Sequence, residues 1–324
     1  MTSRITRRNF LGMAAAATSL APVVRAAAQP GDPLFRISLA QWSLNRTIFG
    51  TNRANFNSLL RTDPDAVLQG SLNPLDFARS ARRDFGIEGI EYVNTFFFGH
   101  ARDESYLRDL RQRADDEGVT SVLIMCDSEG DLGDPDSGGR TLAIENHHKW
   151  VEAAAFLGCH SIRVNARSRG PWDEQAKNAA DGLSRLVDYA DDYDINVIVE
   201  NHGGLSSNGR WLSSVMDMVG HPRVGTLPDF GNFSLGDGET YDNYQGVTEM
   251  MPYAKAVSAK SHDFDADGNN TPEDFERMMR IVLDAGYRGW VGIEYEGRNH
   301  GEAEGIRRTK ALLERIRTDL AGQY

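Results

Sequence analysis

The chain is short of cysteine, of positive charge and of long apolar segments, and each shortage excludes a class of protein. Its 324 residues include two cysteines, too few for a fold held together by disulfides. Acidic residues outnumber basic ones by 47 to 35, giving a net charge of −12, which disfavours a nucleic-acid partner. The apolar run from Gly12 to Val24 is too short and too rich in alanine to span a bilayer. What remains is the profile of a soluble globular protein, and the length suits one α/β barrel with an extension.

The first 28 residues form a predicted signal peptide. The letters TRRNFL at residues 6–11 are a twin-arginine pattern, followed by the apolar run and by a cleavage-like site at Ala26–Ala28. We therefore expect residues 29–324 to be the mature protein, periplasmic or otherwise exported through the twin-arginine pathway, and free of the membrane. Because this pathway carries folded proteins, a metal would be loaded before export. Cleavage removes four arginines and no acidic residue, which moves the net charge from −12 to −16.

From residue 35 onward, short apolar runs alternate with longer amphipathic ones. Eight runs have the length and composition of strands, namely Arg36–Trp42, Gly89–Val93, Thr120–Met125, Ser161–Asn165, Asn196–Glu200, Arg223–Pro228, Ala254–Ser261 and Gly289–Tyr295. Helical patterns such as Asp181–Tyr193 and Phe275–Ala285 lie between them. A unit of roughly 30 residues per strand and helix is typical of an α/β protein with a (β/α)₈ TIM barrel. The fingerprint Gly-x-Gly-x-x-Gly is missing after the first strand, which argues against a doubly wound sheet.

Two loops and the two cysteines take their places from this barrel. Residues Leu44–Leu72 and Ser128–Gly139 follow the first and third strands, so we expect both to lie over the mouth of the barrel. Cys126 ends the third strand and Cys159 opens the fourth, which puts the two thiols at opposite rims. They are predicted to be buried and unbonded, because a disulfide cannot cross that distance.

Four acidic or imidazole side chains stand at consecutive strand ends. Glu200, Asp229, His262 and Glu294 end strands five to eight, at intervals of 29, 33 and 32 residues. The carboxyl ends of barrel strands meet at one face, where the chemistry of such folds collects. Four such groups would repel one another unless a cation lay among them. Three carboxylates and one imidazole suit Mn²⁺, Mg²⁺ or Co²⁺, with Zn²⁺ as an alternative.

Four segments carry a resemblance to a known family. They are VENHGG at 199–204, PDFGN at 228–232, KSHDF at 260–264 and GYRGWVGIE at 286–294. From about Phe35 to Ile316, the chain resembles the xylose isomerase-like TIM-barrel superfamily, the sugar phosphate isomerase/epimerase group. The resemblance implies a divalent metal held by the same four strand-end residues in the same order. It does not fix the substrate, since the superfamily includes isomerases, epimerases, dehydratases and an endonuclease branch.

Two glutamates on a metal predict proton transfer next to a carbonyl. The resemblance implies a sugar isomerase or epimerase, in which the metal acidifies a carbon-bound proton and stabilises the enediolate that forms. Glu200 and Glu294 are the predicted proton-transfer pair. The epimerase branch has a histidine three residues after the strand-six aspartate, where this chain has Asn232. A 3-keto-glycoside lyase is an alternative, because a leaving group at the β-carbon turns the same chemistry into elimination. Such an enzyme fits an exported protein that handles unphosphorylated sugars.

Further side chains are predicted to contact a small sugar or keto-sugar. His202 and Lys260 each lie two residues from a predicted ligand, so strand alternation points them into the same interior. For Lys260, a salt bridge to a nearby carboxylate is the alternative. Glu296 shares the facing of Glu294, which leaves open which of the two is the fourth ligand. The other candidates for the pocket lining, with a core or rim role as the alternative, are Trp42, Arg163, Asn165 and Asn232.

Three competing interpretations stay open at this point. Asp263–Asp274 copies the spacing of a calcium-binding EF-hand loop, although no helix precedes it and Thr271–Pro272 already indicates a helix start. An endonuclease IV-like phosphodiesterase with three zinc ions would need a basic surface and more than the eight histidines present. A non-catalytic, exported sugar-binding protein would keep the barrel without turnover. The oligomeric state is open too, with a homo-oligomer as one alternative.

Overall fold

Eight parallel strands make up the main sheet of the computed structural model, which describes residues 33–50 and 56–324. In chain order they are β1 (Arg36–Ala40), β2 (Gly89–Val93), β3 (Thr120–Met125), β4 (Ser161–Val164), β5 (Asn196–Glu200), β6 (Val224–Leu227), β7 (Val257–Ser261) and β8 (Trp290–Tyr295). The predicted signal peptide, residues 1–28, lies outside the described residues and stays a prediction.

The sheet closes on itself as a barrel. β1 pairs with both β2 and β8, and the strand order runs from there to β6 on one side and to β7 on the other. Parallel bridges Thr226–Ala254 and Asp229–Ser258 join these last two strands, and the Ser258 amide donates to the Pro228 carbonyl at 2.9 Å. Each barrel strand therefore has a neighbour on both sides, which leaves the described barrel without an open edge. The predicted (β/α)₈ TIM barrel is confirmed.

A helix follows each strand before the next strand begins. The barrel helices are α1 (Phe77–Phe85), α2 (Glu104–Asp116), α3 (Ser137–Leu157), α4 (Trp172–Asp191), α5 (Gly209–Val219), α6 (Asn243–Met250), α7 (Phe275–Asp284) and α8 (Glu302–Leu320). Side-chain caps that accept from first-turn amides fix where five of them begin, and the capping residues are Asp103, Asp136, Asn208, Asp242 and Asp274. None of the described helices is both long and apolar enough to cross a membrane.

Several predicted boundaries are wrong. β7 begins at Val257 instead of Ala254, and α4 begins at Trp172 instead of Asp181. β1 ends at Ala40 instead of Trp42, because the chain turns there into a one-turn 3₁₀ helix that carries the tryptophan. Thr271 does not begin α7. It pairs instead in a short antiparallel ribbon with Asp263–Phe264, and Asp274 caps the helix. Thr271 and Asp274 are both residue types that cap helices, so the sequence is compatible with a helix start at either position.

The excursion after β1 is anchored to the far end of the chain. It contains two short helices, Asn45–Phe49 and Phe56–Thr62. The carboxylate of Glu302, at the start of α8, accepts from the backbone amides of Arg46 at 2.7 Å and Thr47 at 3.0 Å. Because Glu302 is buried, water competes little for these bonds. The anchor fixes the segment that follows Trp42 against the barrel mouth.

The core does without disulfides. Cys126 and Cys159 are buried and unbonded, as predicted, and burial raises the pKa of both thiols far above the ordinary range. Apolar side chains from the strands and from the inner faces of the helices form one contiguous core. Packing of this core, without covalent links, therefore holds the barrel and the strand ends in register.

Candidate metal centre

Three carboxylates converge at the mouth of the barrel. Glu200 ends β5, Asp229 follows β6, and Glu294 lies near the end of β8. Each offers an oxygen within 4.8 Å of the others, and all three residues are at most 3% exposed. Within the described part of the chain, this is the one such group of three or more potential metal ligands, and we call it the carboxylate cluster.

The backbone and a serine hold Asp229 in place. Its Oδ1 accepts from the amides of Gly231 and Asn232, both at 2.9 Å. Its Oδ2 accepts from the Ser258 hydroxyl at 2.6 Å. Ser258 reaches this position because it pairs directly with Asp229 in the bridge that closes the barrel. The same contact that completes the fold therefore orients one carboxylate of the cluster.

Asn232 links two parts of the site. Its amide nitrogen donates to Glu200 Oε1 at 2.9 Å, and its amide oxygen accepts from the Lys260 ammonium at 3.2 Å. A neutral imidazole also has one donor and one acceptor nitrogen, so a histidine here would differ in the geometry of these two bonds and not in their number. Asn232 was predicted to contact the substrate, and that role stays a prediction.

Lys260 pairs with both glutamates of β8 and its following turn. Its ammonium lies 3.1 Å from Glu294 Oε1 and 3.4 Å from Glu296 Oε2. Glu296 also accepts a hydrogen bond from the indole N–H of Trp42. Glu294 belongs to the carboxylate cluster and Glu296 does not, so the geometry favours Glu294 as the ligand. The ion pairs of the alternative interpretation of Lys260 are present, and its substrate role stays a prediction.

Arg163 forms an ion pair with Glu200, as Lys260 does with Glu294. Its Nε lies 2.6 Å from Glu200 Oε2, and another guanidinium nitrogen lies 2.9 Å from Asp127 Oδ1. Arg163 is only 4% exposed, so both ion pairs are largely shielded from water. Asn165 donates to the same Asp127 oxygen at 2.8 Å. Arg163 thus contacts the cluster and Asn165 contacts Asp127, while the substrate roles of both residues stay predictions.

The charges in this region do not balance. Two buried cations, Arg163 and Lys260, face five carboxylates: three in the cluster, Asp127 and Glu296. Oε2 of Glu294 is buried without a hydrogen bond, whereas Oε2 of Glu200 is paired with the Arg163 guanidinium. Unpaired buried carboxylate oxygens are costly. The donor set and the excess negative charge therefore fit a divalent cation, for which hard oxygen ligands are suited.

Burial and mutual repulsion raise the pKa values of two carboxylates in the cluster. Burial raises the pKa of Glu294 to about 8, although Lys260 acts against the rise. It raises the pKa of Asp229 to about 6 for the same reason, with Lys260 again opposing. The carboxylates around Lys260 raise the pKa of its ammonium well above the ordinary range, despite burial. The two acids thus hold protons more tightly than they would in water when no cation is present.

The two predicted histidines lie near the cluster without joining it. His262 is outside the 4.8 Å group, but a Cβ at Gly231 would come within 3.4 Å of its ring, which places the imidazole next to the Asp229 loop. Nδ1 of His262 and Nδ1 of His202 are both buried without a hydrogen-bond partner. A free ring nitrogen is what a metal or substrate contact requires. The ligand role of His262 and the substrate role of His202 stay predictions.

Two acidic residues of the site were absent from the predicted set. Asp127 follows β3, and Glu91 lies inside the barrel on β2, where its Oε1 accepts from the Ser38 hydroxyl at 2.6 Å. Gly292 makes room for Glu91, since a Cβ there would lie 2.4 Å from Glu91 Oε1. Burial raises the pKa of Glu91 to about 7. A lone acid within an otherwise apolar strand, GIEYV, was the signal that could have found Glu91.

The loop that resembles an EF-hand has a structural role for its central acid. Asp265 Oδ1 accepts from the backbone amides of Asp267 and Asn269, both at 2.9 Å. These bonds close the turn of the short ribbon that begins at Asp263. A strand precedes the loop where an EF-hand has a helix. The spacing is therefore that of a hairpin turn.

The sequence itself matches a family model. The model described as "Xylose isomerase-like TIM barrel" matches residues 80–317, well over half of the chain. The chain belongs to the xylose isomerase-like TIM barrel family. This match covers β2 to β8 with all the strand ends of the carboxylate cluster, so the resemblance in those segments is confirmed. Comparison with curated proteins finds no match.

Solved structures of this family share the fold. A 3-keto-D-glucoside 4-epimerase from E. coli is 17% identical, with a TM-score of 0.61 over 75% of this chain and 94% of that one. A xylose isomerase-like TIM barrel protein from Mycobacterium smegmatis in complex with magnesium is 16% identical, with a TM-score of 0.60 over 88% and 98%. A D-psicose 3-epimerase, determined in the presence of D-fructose, is 13% identical, with a TM-score of 0.59 over 87% and 99%. At these identities the likeness shows the fold alone.

Proposed function

We propose that this protein is a divalent-metal-dependent sugar isomerase or epimerase. The observation that carries the proposal is the carboxylate cluster, in which three buried carboxylates lie within 4.8 Å of one another and Glu294 Oε2 has no hydrogen bond. Two epimerases and a magnesium complex among the similar structures support the same class of chemistry. The residues proposed to hold the metal are Glu200, Asp229, His262 and Glu294. A bound divalent ion supplies Lewis-acid polarisation of a substrate oxygen.

The two glutamates are proposed to move the proton. One takes the proton from the carbon next to the carbonyl, and the electron pair shifts to the carbonyl oxygen to give an enediolate. The other returns a proton to the opposite face of that carbon, which epimerises it, or to the neighbouring carbon, which isomerises the sugar. Glu294 suits proton transfer because it is buried beside the Lys260 ammonium and its Oε2 has no hydrogen bond. Lys260 and Arg163 stabilise negative charge beside these two groups.

An unphosphorylated keto-sugar or 3-keto-glycoside is the proposed substrate. The similar E. coli structure is a 3-keto-D-glucoside epimerase by name, and the net charge of −12 disfavours phosphorylated substrates. Elimination by a 3-keto-glycoside lyase uses the same first step, so it remains the second candidate and is separated by its products. Export through the twin-arginine pathway is proposed from residues 6–28 and would place the enzyme among extracytoplasmic sugars.

Two other functions have less support. An endonuclease IV-like phosphodiesterase would need cationic surface for its substrate, whereas the chain is acidic overall. A non-catalytic sugar-binding protein has no use for two buried proton-transfer groups of the kind that Glu200 and Glu294 form. Proton exchange separates an enzyme from a binder directly, because only the enzyme incorporates solvent deuterium into the sugar.

The test is deuterium uptake from D₂O by methyl 3-keto-D-glucoside and by D-fructose, followed by NMR with saturating Mg²⁺. We expect Glu200→Gln and Glu294→Gln each to slow exchange by roughly 10²–10⁴-fold, the usual size of a general-base contribution. Glu145→Gln is the charge-matched control, because Glu145 is exposed on α3. Exchange at the wild-type rate in both cluster variants would refute the proposed roles. Absence of exchange in the wild type with either sugar would argue for the binding protein.

A further inference from the structure

Asp127, at the barrel mouth, is fixed by hydrogen bonds to its backbone and to one of its carboxylate oxygens. It follows β3, on the opposite side of the barrel from the strands that carry Asp229 and Glu294. Its backbone is fixed by a reciprocal pair of hydrogen bonds with the Asn94 side chain, whose amide donates to the Asp127 carbonyl at 2.9 Å and accepts from the Asp127 N–H at 3.0 Å. Asn94 is itself buried, so the pair is rigid.

The two carboxylate oxygens of Asp127 have different surroundings. Oδ1 accepts from Arg163 at 2.9 Å and from Asn165 at 2.8 Å. Oδ2 has no hydrogen bond to the described residues, and the side chain is 30% exposed. Burial acts to raise the pKa of Asp127, but the charges of Arg163 and His202 and the hydrogen bonds from Asn165 and Arg163 together lower it. Asp127 is therefore an ionised group with one satisfied oxygen and one open acceptor.

The open acceptor belongs to the proposed active site. Arg163 contacts Asp127 on one side and Glu200 on the other, at 2.9 and 2.6 Å, so a single guanidinium separates Asp127 from a proposed proton-transfer group. His202 lies close enough for its charge to lower the pKa of Asp127, and its Nδ1 has no partner. Asp127 thus offers an open acceptor, and His202, which follows β5, offers an unpartnered ring nitrogen near it.

We propose that Asp127 Oδ2 accepts a hydrogen bond from a substrate hydroxyl and so determines which sugars bind. The inference rests on the proposed function and narrows its substrate class to neutral, polyhydroxylated sugars. Such a sugar presents a hydroxyl donor to Asp127 while its reacting carbon lies at the carboxylate cluster. An ionised carboxylate at this point repels a phosphate group, which agrees with an unphosphorylated substrate. A charge-assisted hydrogen bond is the strong kind, so its loss is measurable.

A purely structural role is the competing explanation. In that case Asp127 would only orient Arg163 towards Glu200, and the exposed oxygen would bind solvent. The two explanations differ in the atom that matters. The structural role uses Oδ1, whereas substrate recognition uses Oδ2.

Asp127→Asn separates the two roles. The donors Arg163 and Asn165 keep the amide oxygen at the Oδ1 position, so the bracing contacts remain. The open atom changes from an acceptor into an NH₂ donor. We expect KM for methyl 3-keto-D-glucoside to rise about 10- to 100-fold, as for loss of a charged hydrogen bond, while kcat, bound metal and melting temperature stay close to wild type. Asp127→Ala, which removes both oxygens, is expected to lower kcat and the melting temperature as well.

Two further measurements keep the result interpretable. Monodeoxy analogues of the substrate identify the hydroxyl that Asp127 contacts. The analogue that lacks this hydroxyl is expected to bind the wild type and Asp127→Asn with the same affinity. Calorimetric titration with D-glucitol, which cannot react, reports binding without turnover, and Glu145→Gln serves as the charge control. A wild-type KM in Asp127→Asn would overturn the inference and leave the structural role. If the wild type exchanges no proton but binds D-glucitol more tightly than Asp127→Asn, the proposed function fails and this inference stands. Equal or undetectable D-glucitol binding by both proteins would refute it.

Discussion

Both sides of the barrel mouth contribute charged residues to the site, but these residues follow different patterns in the sequence. The side built from β5 to β8 carries the carboxylate cluster and Lys260 at strand ends. The side built from β2 to β4 carries Glu91, Asp127 and Arg163, and Arg163 reaches Glu200 across the interior. Each side supplies one buried cation and pairs it with a glutamate of the cluster. Half of this site therefore follows a repeated strand-end pattern in the sequence. The other half is a set of charged residues inside the barrel that follow no repeat.

The largest expected effect comes from removing the cation of either side. Arg163→Met leaves Glu200 and Asp127 without their counter-charge, and Lys260→Met does the same to Glu294 and Glu296. Breaking a buried ion pair from one side costs about 3–5 kcal/mol. We therefore expect similar losses in the free energy of unfolding for both variants, measured by urea denaturation in the presence of a chelator.

A surface pair provides the control for this comparison. Arg308 and Glu304 form an ion pair at 2.8 Å with both side chains more than a third exposed. Exposed pairs contribute little, so Arg308→Met is expected to unfold at nearly the wild-type urea concentration. If Arg163→Met behaved like this control while Lys260→Met did not, the β2 to β4 side would not help to neutralise the site.

A smaller effect on the free energy of unfolding is expected from Glu91→Gln, and its size depends on pH. Burial raises the pKa of Glu91 from its ordinary value of 4.5 to about 7, so the folded state binds the proton more tightly than the unfolded state. Between these values the unfolded chain ionises first, and wild-type stability falls as pH rises. Glu91→Gln removes this loss and keeps an acceptor for Ser38. Its stability relative to the wild type is therefore expected to rise by up to about 3 kcal/mol from pH 4.5 to pH 8.

Paired denaturation curves at pH 4.5 and pH 8 measure this difference. Groups common to both proteins cancel in the comparison, and a chelator removes the contribution of bound cations. A relative stability that does not change with pH would show that Glu91 is ionised in the folded protein, and the two sides of the mouth would then carry charge in the same way.

Much of the fold and half of the site could be predicted from the sequence because they repeat. All eight strands were found within a few residues, since each apolar run recurs at the period of one strand and one helix. Glu200, Asp229 and Glu294 follow that period, and the structure brings them together.

The rest depends on contacts between distant segments, which periodicity does not report. The ion pair of Arg163 with Asp127 joins β4 to the turn after β3, and its geometry follows from side-chain reach inside a closed barrel. The anchoring of the first excursion by Glu302 links residues more than 250 positions apart. Asn232 was noted as a departure from the family pattern, but its bridge between Glu200 and Lys260 requires both partners to be in place.

The most direct test of the central claim is metal binding by the carboxylate cluster. Calorimetric titration of chelator-treated protein with Mn²⁺ and Mg²⁺ should show one site per chain in the wild type. Asp229→Asn keeps the bonds from the Gly231 and Asn232 amides through its remaining oxygen and is expected to weaken binding by at least about tenfold, since a charged ligand is lost. Glu145→Gln, the exposed control, should bind as the wild type does. No divalent-ion binding by the wild type, or equal affinity in Asp229→Asn, would contradict the account.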